Sequence, residues 1–102
     1  VKEIKDNMEL TNALITGVRS SKGELLHYYY SVNGIKYEGD YQLYIGYNNA
    51  NSLVNYYFPV VYSKKHPKKR KVLIHPFDFE KYNIRYPDSI LWVKNLILEN
   101  EH

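Results

Sequence analysis

Glu24-Leu25-Leu26-His27-Tyr28-Tyr29-Tyr30-Ser31-Val32-Asn33-Gly34-Ile35-Lys36-Tyr37-Glu38-Gly39-Asp40-Tyr41 reads as a β-hairpin. Asn-Gly between two aromatic and β-branched runs is the strongest short-range signal for a two-residue type I′ turn, because both central residues need positive φ. That turn sets the register. Val32 opposes Ile35, Tyr30 opposes Tyr37, Tyr28 opposes Gly39 and Leu26 opposes Tyr41. The alternate set places Leu25, His27, Tyr29 and Ser31 with Lys36, Glu38 and Asp40, so one face is apolar and the other mostly wet.

Outward from the hairpin, Leu10–Val18 reads as a first strand with β-branched residues, and Ser20-Ser21-Lys22-Gly23 as the turn leading to the second, Glu24–Val32. The third runs from Ile35 to Tyr44. Gly46 to Ser52 is a cluster of turn formers that breaks the pattern. A fourth strand follows over Tyr56–Ser63, where Pro59 implies an edge position or a bulge. Val72-Leu73-Ile74 is a short fifth. Phe77 to Tyr82 reads as one helical turn or a tight connection. Pro87-Asp88-Ser89 then opens a helix to about Leu98, with Ile90, Val93 and Ile97 leading a broad apolar stripe that needs a surface to dock on. Residues 1–9 are charged and weakly patterned, either a frayed lead-in or a short helix. The expected fold is α+β and β-dominated. It is a small twisted or partly rolled antiparallel sheet of 4–5 strands, with the hairpin 24–41 at its centre and a C-terminal helix packed on it.

At 102 residues, 44% of them hydrophobic, the chain makes one domain. The 12 tyrosines favour strands. No cysteine is present, which excludes disulfides, zinc–thiolate sites and thiol catalysis. The net charge of +3 is local in origin: Lys64, Lys65, Lys68, Lys69, Arg70 and Lys71 are six of the 14 basic residues, and the remaining eight face 11 acids, a net of −3. No apolar run approaches the roughly 20 residues of a membrane-spanning helix, and no signal peptide is visible. The chain starts at Val1 without a methionine, so a preceding anchor, with residues 1–9 as its linker, is an expectation.

Three stretches carry a resemblance. They are Tyr30-Ser31-Val32-Asn33-Gly34-Ile35-Lys36-Tyr37-Glu38-Gly39, then Phe58-Pro59-Val60-Val61-Tyr62-Ser63-Lys64-Lys65-His66-Pro67, and Val72 to Val93 with Pro87-Asp88-Ser89-Ile90-Leu91-Trp92-Val93. Together they resemble uncharacterised small bacterial membrane-anchored β-domain proteins, a domain of unknown function. The resemblance implies a β-domain behind an N-terminal transmembrane or signal segment, at the cell envelope; a cytoplasmic protein is the alternative. It brings no active site.

The candidate chemistries are few. Lys64, Lys65, Lys68, Lys69, Arg70 and Lys71 would attract anionic lipid head groups or phosphate backbones, at about 1 kcal/mol per cation near an anionic membrane. The plain alternative is a solvated turn that guards a strand edge. Tyr44, Tyr47, Tyr56 and Tyr57 flank the Asn-rich loop and are candidates for a stacking groove, which would add to nucleic-acid binding. Strand packing accounts for most tyrosines without it. His27, His66, His75 and His102 lack metal-site spacing, and Glu38, Asp40, Asp78 and Glu80 form no acid/base motif. No Gly-rich phosphate loop or nucleophile elbow appears. The expectation is therefore no catalytic residue, no metal and no cofactor. Trp92 reads as a core residue, with a partner-binding helix face as the competing view. The chain reads as a non-catalytic binding domain, its partner an anionic membrane surface or a protein; nucleic acid is the alternative.

Overall fold

A computed structural model describes residues 2–101. In chain order the elements are α1 (Lys2–Asp6), β1 (Met8–Ser20), β2 (Glu24–Val32), β3 (Ile35–Leu43), α2 (Tyr47–Asn51), β4 (Tyr57–Ser63), β5 (Arg70–Val72), α3 (Pro76–Lys81), a 3-10 turn (Asp88–Ile90) and α4 (Leu91–Asn100). The five strands form one antiparallel sheet in the order β3-β2-β1-β4-β5, curled into a half-barrel. An α+β, β-dominated fold with a C-terminal helix is what the residue pattern implies.

The hairpin register is the one its turn dictates: Val32↔Ile35, Tyr30↔Tyr37, Tyr28↔Gly39 and Leu26↔Tyr41. Asn33 and Gly34 both take positive φ, 52° and 79°. Leu26, Tyr28 and Tyr30 are buried, while Ser31, Lys36, Glu38 and Asp40 are exposed.

The expectation of a central hairpin is corrected. The centre is β1, and the hairpin ends the sheet with β3 as its edge. β1 is 13 residues long and serves two neighbours in succession: Met8 to Leu14 pair with β4, and Leu14 to Ser20 pair with β2. A register shift between Ile15 and Gly17 marks a bulge between the two halves, and bulges bend and twist a strand. That bend lets one strand serve both halves of the curl. Local signals locate strands, but only long-range pairs such as Thr11↔Val60 decide which one is shared.

Pro59 behaves partly as expected. β4 is an inner strand, and its register with β1 runs through Pro59 without a bulge. β5, however, covers only Val60 to Tyr62. The Pro59 carbonyl accepts from Leu73 N–H on that side, so the proline nitrogen faces the end of the ladder, where no donor is required. β5 itself lies two residues earlier than its apolar run suggests. The Asn-rich segment 47–51 is a short helix rather than an open loop; the Glu24 carboxylate, buried at its start, accepts from Ile45 and Gly46 N–H at 3.2 and 2.9 Å.

Ile90, Val93 and Ile97 bury the inner stripe of the C-terminal helix, with Leu96 partly covered. Trp92 is 38% exposed and meets Tyr56 edge-on at 5.1 Å. It lies off the buried stripe, which corrects its reading as core.

Nothing lies within 4 Å of where a Cβ on Gly34 would stand, so a substitution there costs backbone strain alone. Gly34→Val should lose about 1–2 kcal/mol, the left-handed penalty of an L-residue, and lower Tm by roughly 5–15 °C. A thermal melt that overlays the parent would contradict the type I′ turn.

Candidate binding loop and its grooves

The chain between β4 and β5 holds most of the excess positive charge, and it is tied down along its length. Ser63 N–H donates to Lys69 O at 2.9 Å, Lys69 N–H to His66 O at 2.8 Å, and Lys64 N–H to Asn7 O at 2.8 Å. His66 N–H donates to Ser63 Oγ at 3.2 Å. From the sheet, the buried Tyr30 hydroxyl donates to Pro67 O at 2.6 Å. Burial pushes the Tyr30 phenol up to about 12, against a smaller lowering by Arg70, so it remains a proton donor at any physiological pH.

The six cations divide into two groups. Lys64, Lys65, Lys68 and Lys69 are exposed. Arg70 and Lys71 are half-buried and engaged. Arg70 Nε donates to Tyr28 Oη at 3.2 Å, Nη1 to Lys68 O at 3.0 Å and Nη2 to Glu38 O at 2.7 Å. Its guanidinium therefore spans from β5 to β3, the two ends of the curled sheet. Lys71 Nζ lies 3.7 Å from Asp78 Oδ1 and 5.1 Å from the Tyr41 ring centre.

Two open grooves flank the loop. One, of about 420 Å³, runs between Tyr37 and the segment Lys65 to Lys69; Tyr37 stacks on Tyr30 with ring centres 5.3 Å apart. The other, of about 530 Å³, has Tyr28, Asp40 and Tyr41 on one side and Lys68, Lys69 and Lys71 on the other. The sequence reading passed over Tyr37, Tyr28 and Tyr41 as neighbours of the loop. Alternation put them on the inner face, but only the curl brings that face to residues 65–71.

Tyr44, Tyr47, Tyr56 and Tyr57 are all about half exposed. Among the described residues no ring contact joins any two of them. Tyr56 packs on Trp92, and the Tyr44 ring lies over Gly23.

The histidines and carboxylates have local roles. His75 caps α3: its Nδ1 accepts from Phe77 N–H at 3.1 Å, while its Nε2 meets Glu101 Oε1 at 2.8 Å. Asp78 completes that capping box. Asp78 Oδ2 accepts from Tyr41 Oη at 2.5 Å, His75 N at 3.0 Å and Ile74 N at 3.2 Å. Burial first, and the Asp78 charge second, hold the Tyr41 phenol far above its ordinary value. Glu80 is exposed, and His102 lies outside the described residues. On the outer face His27 sits between Asp40 (3.0 Å) and Glu38 (3.2 Å). Among the described residues no group of three or more His, Asp or Glu side chains is placed to hold a metal ion, and no helix is long and apolar enough to cross a membrane.

No family model matches the chain, and neither a curated protein nor a solved structure matches it.

Hydrogen bonds to Asp40 first, then Glu38, raise the His27 pKa above 6.5. A raised pKa means that the folded state binds the proton more tightly, so the stabilisation is full below pH 6.5 and fades as pH rises through the raised value. His27→Gln should therefore lower Tm most near pH 5 and least above pH 8. A Tm difference that grows with pH would contradict this.

Proposed function

We propose that this domain is a binding module with no reaction of its own, and that the loop 64–71 docks on an anionic membrane surface. One observation carries the reading. Four lysines project from a loop held to the sheet by the Tyr30 and Arg70 hydrogen bonds, so binding need not first order the chain that carries them. Preorganisation of this kind lowers the entropic cost of association. The acids that outnumber bases elsewhere concentrate attraction at this one place. A location at the cell envelope belongs to the same reading, and its support is the resemblance to small anchored bacterial β-domains.

Single-stranded nucleic acid is the second reading. Tyr37 beside Lys65, Lys68 and Lys69 favours it, since stacking platforms next to cations are how such strands are held. Position favours it too: in partly open five-stranded barrels that bind oligonucleotides, the loop between the fourth and fifth strands is a contact element. This is an analogy of architecture.

The test is a quadruple variant, Lys64→Ser/Lys65→Ser/Lys68→Ser/Lys69→Ser, titrated with phosphatidylglycerol vesicles, phosphatidylcholine vesicles and a mixed-sequence single-stranded oligonucleotide. At about 1 kcal/mol per cation, the variant should lose about 4 kcal/mol, or roughly 1,000-fold, in partition to the anionic vesicles. Neutral vesicles should bind neither protein. Equal partition of parent and variant would end the membrane reading. Oligonucleotide binding that falls log-linearly with salt, and weakens on Tyr37→Ala, would establish the second.

A further inference from the structure

The half-barrel has two free edges, and they face one another. In a two-residue hairpin the residues flanking the turn form a hydrogen-bonded pair, and such pairs alternate along the ladder. Residues 35, 37, 39, 41 and 43 of β3 therefore bond inward to β2. Lys36, Glu38, Asp40 and Gln42 direct their N–H and C=O groups away from the sheet. The Arg70 hydrogen bond to Glu38 O is the signature of that outward row. On β5, the bonds Ser63 N–H to Lys69 O and Leu73 N–H to Pro59 O put residues 69, 71 and 73 on the β4 side. Arg70 and Val72 are left facing out. Both strands run the same way around the curl, since each successive neighbour is antiparallel.

The groove of about 530 Å³ is the gap between these edges. The Arg70 bridge to Glu38 crosses the gap. Asp40 and Tyr41 on β3, Val72 on β5, Tyr28 on β2 and Ile4 of α1 line the groove together with Lys68, Lys69 and Lys71. Among the described residues no strand pairs with the outward side of β3 or of β5, so the main-chain groups of Asp40 and Gln42 on that side carry no ladder hydrogen bond. Unpaired edge groups of this kind are templates for another strand.

We propose that the seam between β3 and β5 receives an extended acidic peptide segment, which adds as a strand to the free edge of β3. Main-chain hydrogen bonds to Asp40 and Gln42 supply the affinity. Lys68 and Lys69 select carboxylate side chains, which places the charge of the partner opposite to that of the rim. The inference does not need membrane docking to hold, although the two share Lys68 and Lys69.

The probe is a fluorescent eight-residue peptide alternating Glu and Val, with three comparisons. They are the Lys-Val peptide of equal length, the Glu-Val peptide N-methylated at alternate residues, and the Lys68→Glu/Lys69→Glu variant. The Glu-Val peptide should bind the parent, and each comparison should weaken binding at least tenfold. N-methylation keeps every charge but removes ladder donors, so an equally tight methylated peptide would overturn strand addition. Amide exchange on the same sample should show Asp40 and Gln42 slowed at least tenfold by the peptide. Unchanged exchange would overturn the proposal, and so would protection already present in the free protein together with dimeric sedimentation, since a second copy would then fill the seam. Lys64→Ser/Lys65→Ser should leave peptide binding unchanged while weakening vesicle binding, which separates this proposal from membrane docking.

Discussion

The Arg70 guanidinium lying over Gly39 is the contact on which the shape of this domain depends. A Cβ on Gly39 would stand 2.5 Å from Arg70 Nη2 and 2.6 Å from the Tyr28 hydroxyl. Gly39 pairs with Tyr28 across the hairpin, and the absent side chain leaves room for both groups. Arg70 then reaches Tyr28, Glu38 O and Lys68 O together. A side chain thus links the two ends of the sheet where backbone pairing does not. Arginine suits the task because its planar fork supplies several donors in fixed directions and keeps its charge.

That bond also organises the basic loop. Arg70 is its last rigid point, and the Tyr30 bond to Pro67 O is the other. Between and before these lie the exposed lysines, held near one another without any acidic partner among the described residues. Like charges that repel are kept together by hydrogen bonds from uncharged tyrosine and backbone groups. The anchoring fixes where the charge run is displayed on the sheet.

Legibility in the sequence follows the range of the interactions. Asn33-Gly34 specifies its turn, and the turn specifies every pair to Leu26↔Tyr41, because both act between neighbours. The same reading misplaced the hairpin, since β1 binds its second partner, β4, some fifty residues away. The helix 47–51 was missed because Asn residues read as turn formers, whereas the Glu24 carboxylate organises its start from a distant strand. Of the candidate site, the cations and their clustering were visible. Their division into four exposed and two committed side chains was not, for Arg70 finds its partners only after the sheet has curled. The capping role of His75 had a local signal in His75-Pro76-Phe77-Asp78, with proline and an acid in the first turn.

The central claim, that Arg70 and Tyr28 occupy the space above Gly39 and so close the sheet, is tested most directly by a mutant cycle read by chemical denaturation. In the parent, Gly39→Ala should cost about 1–3 kcal/mol through overpacking. In the background Arg70→Ala/Tyr28→Leu, where the atoms that would clash are gone, the same change should cost less than about 0.5 kcal/mol. A Gly39→Ala penalty of equal size in both backgrounds, the additive result expected of groups that do not touch, would contradict the account.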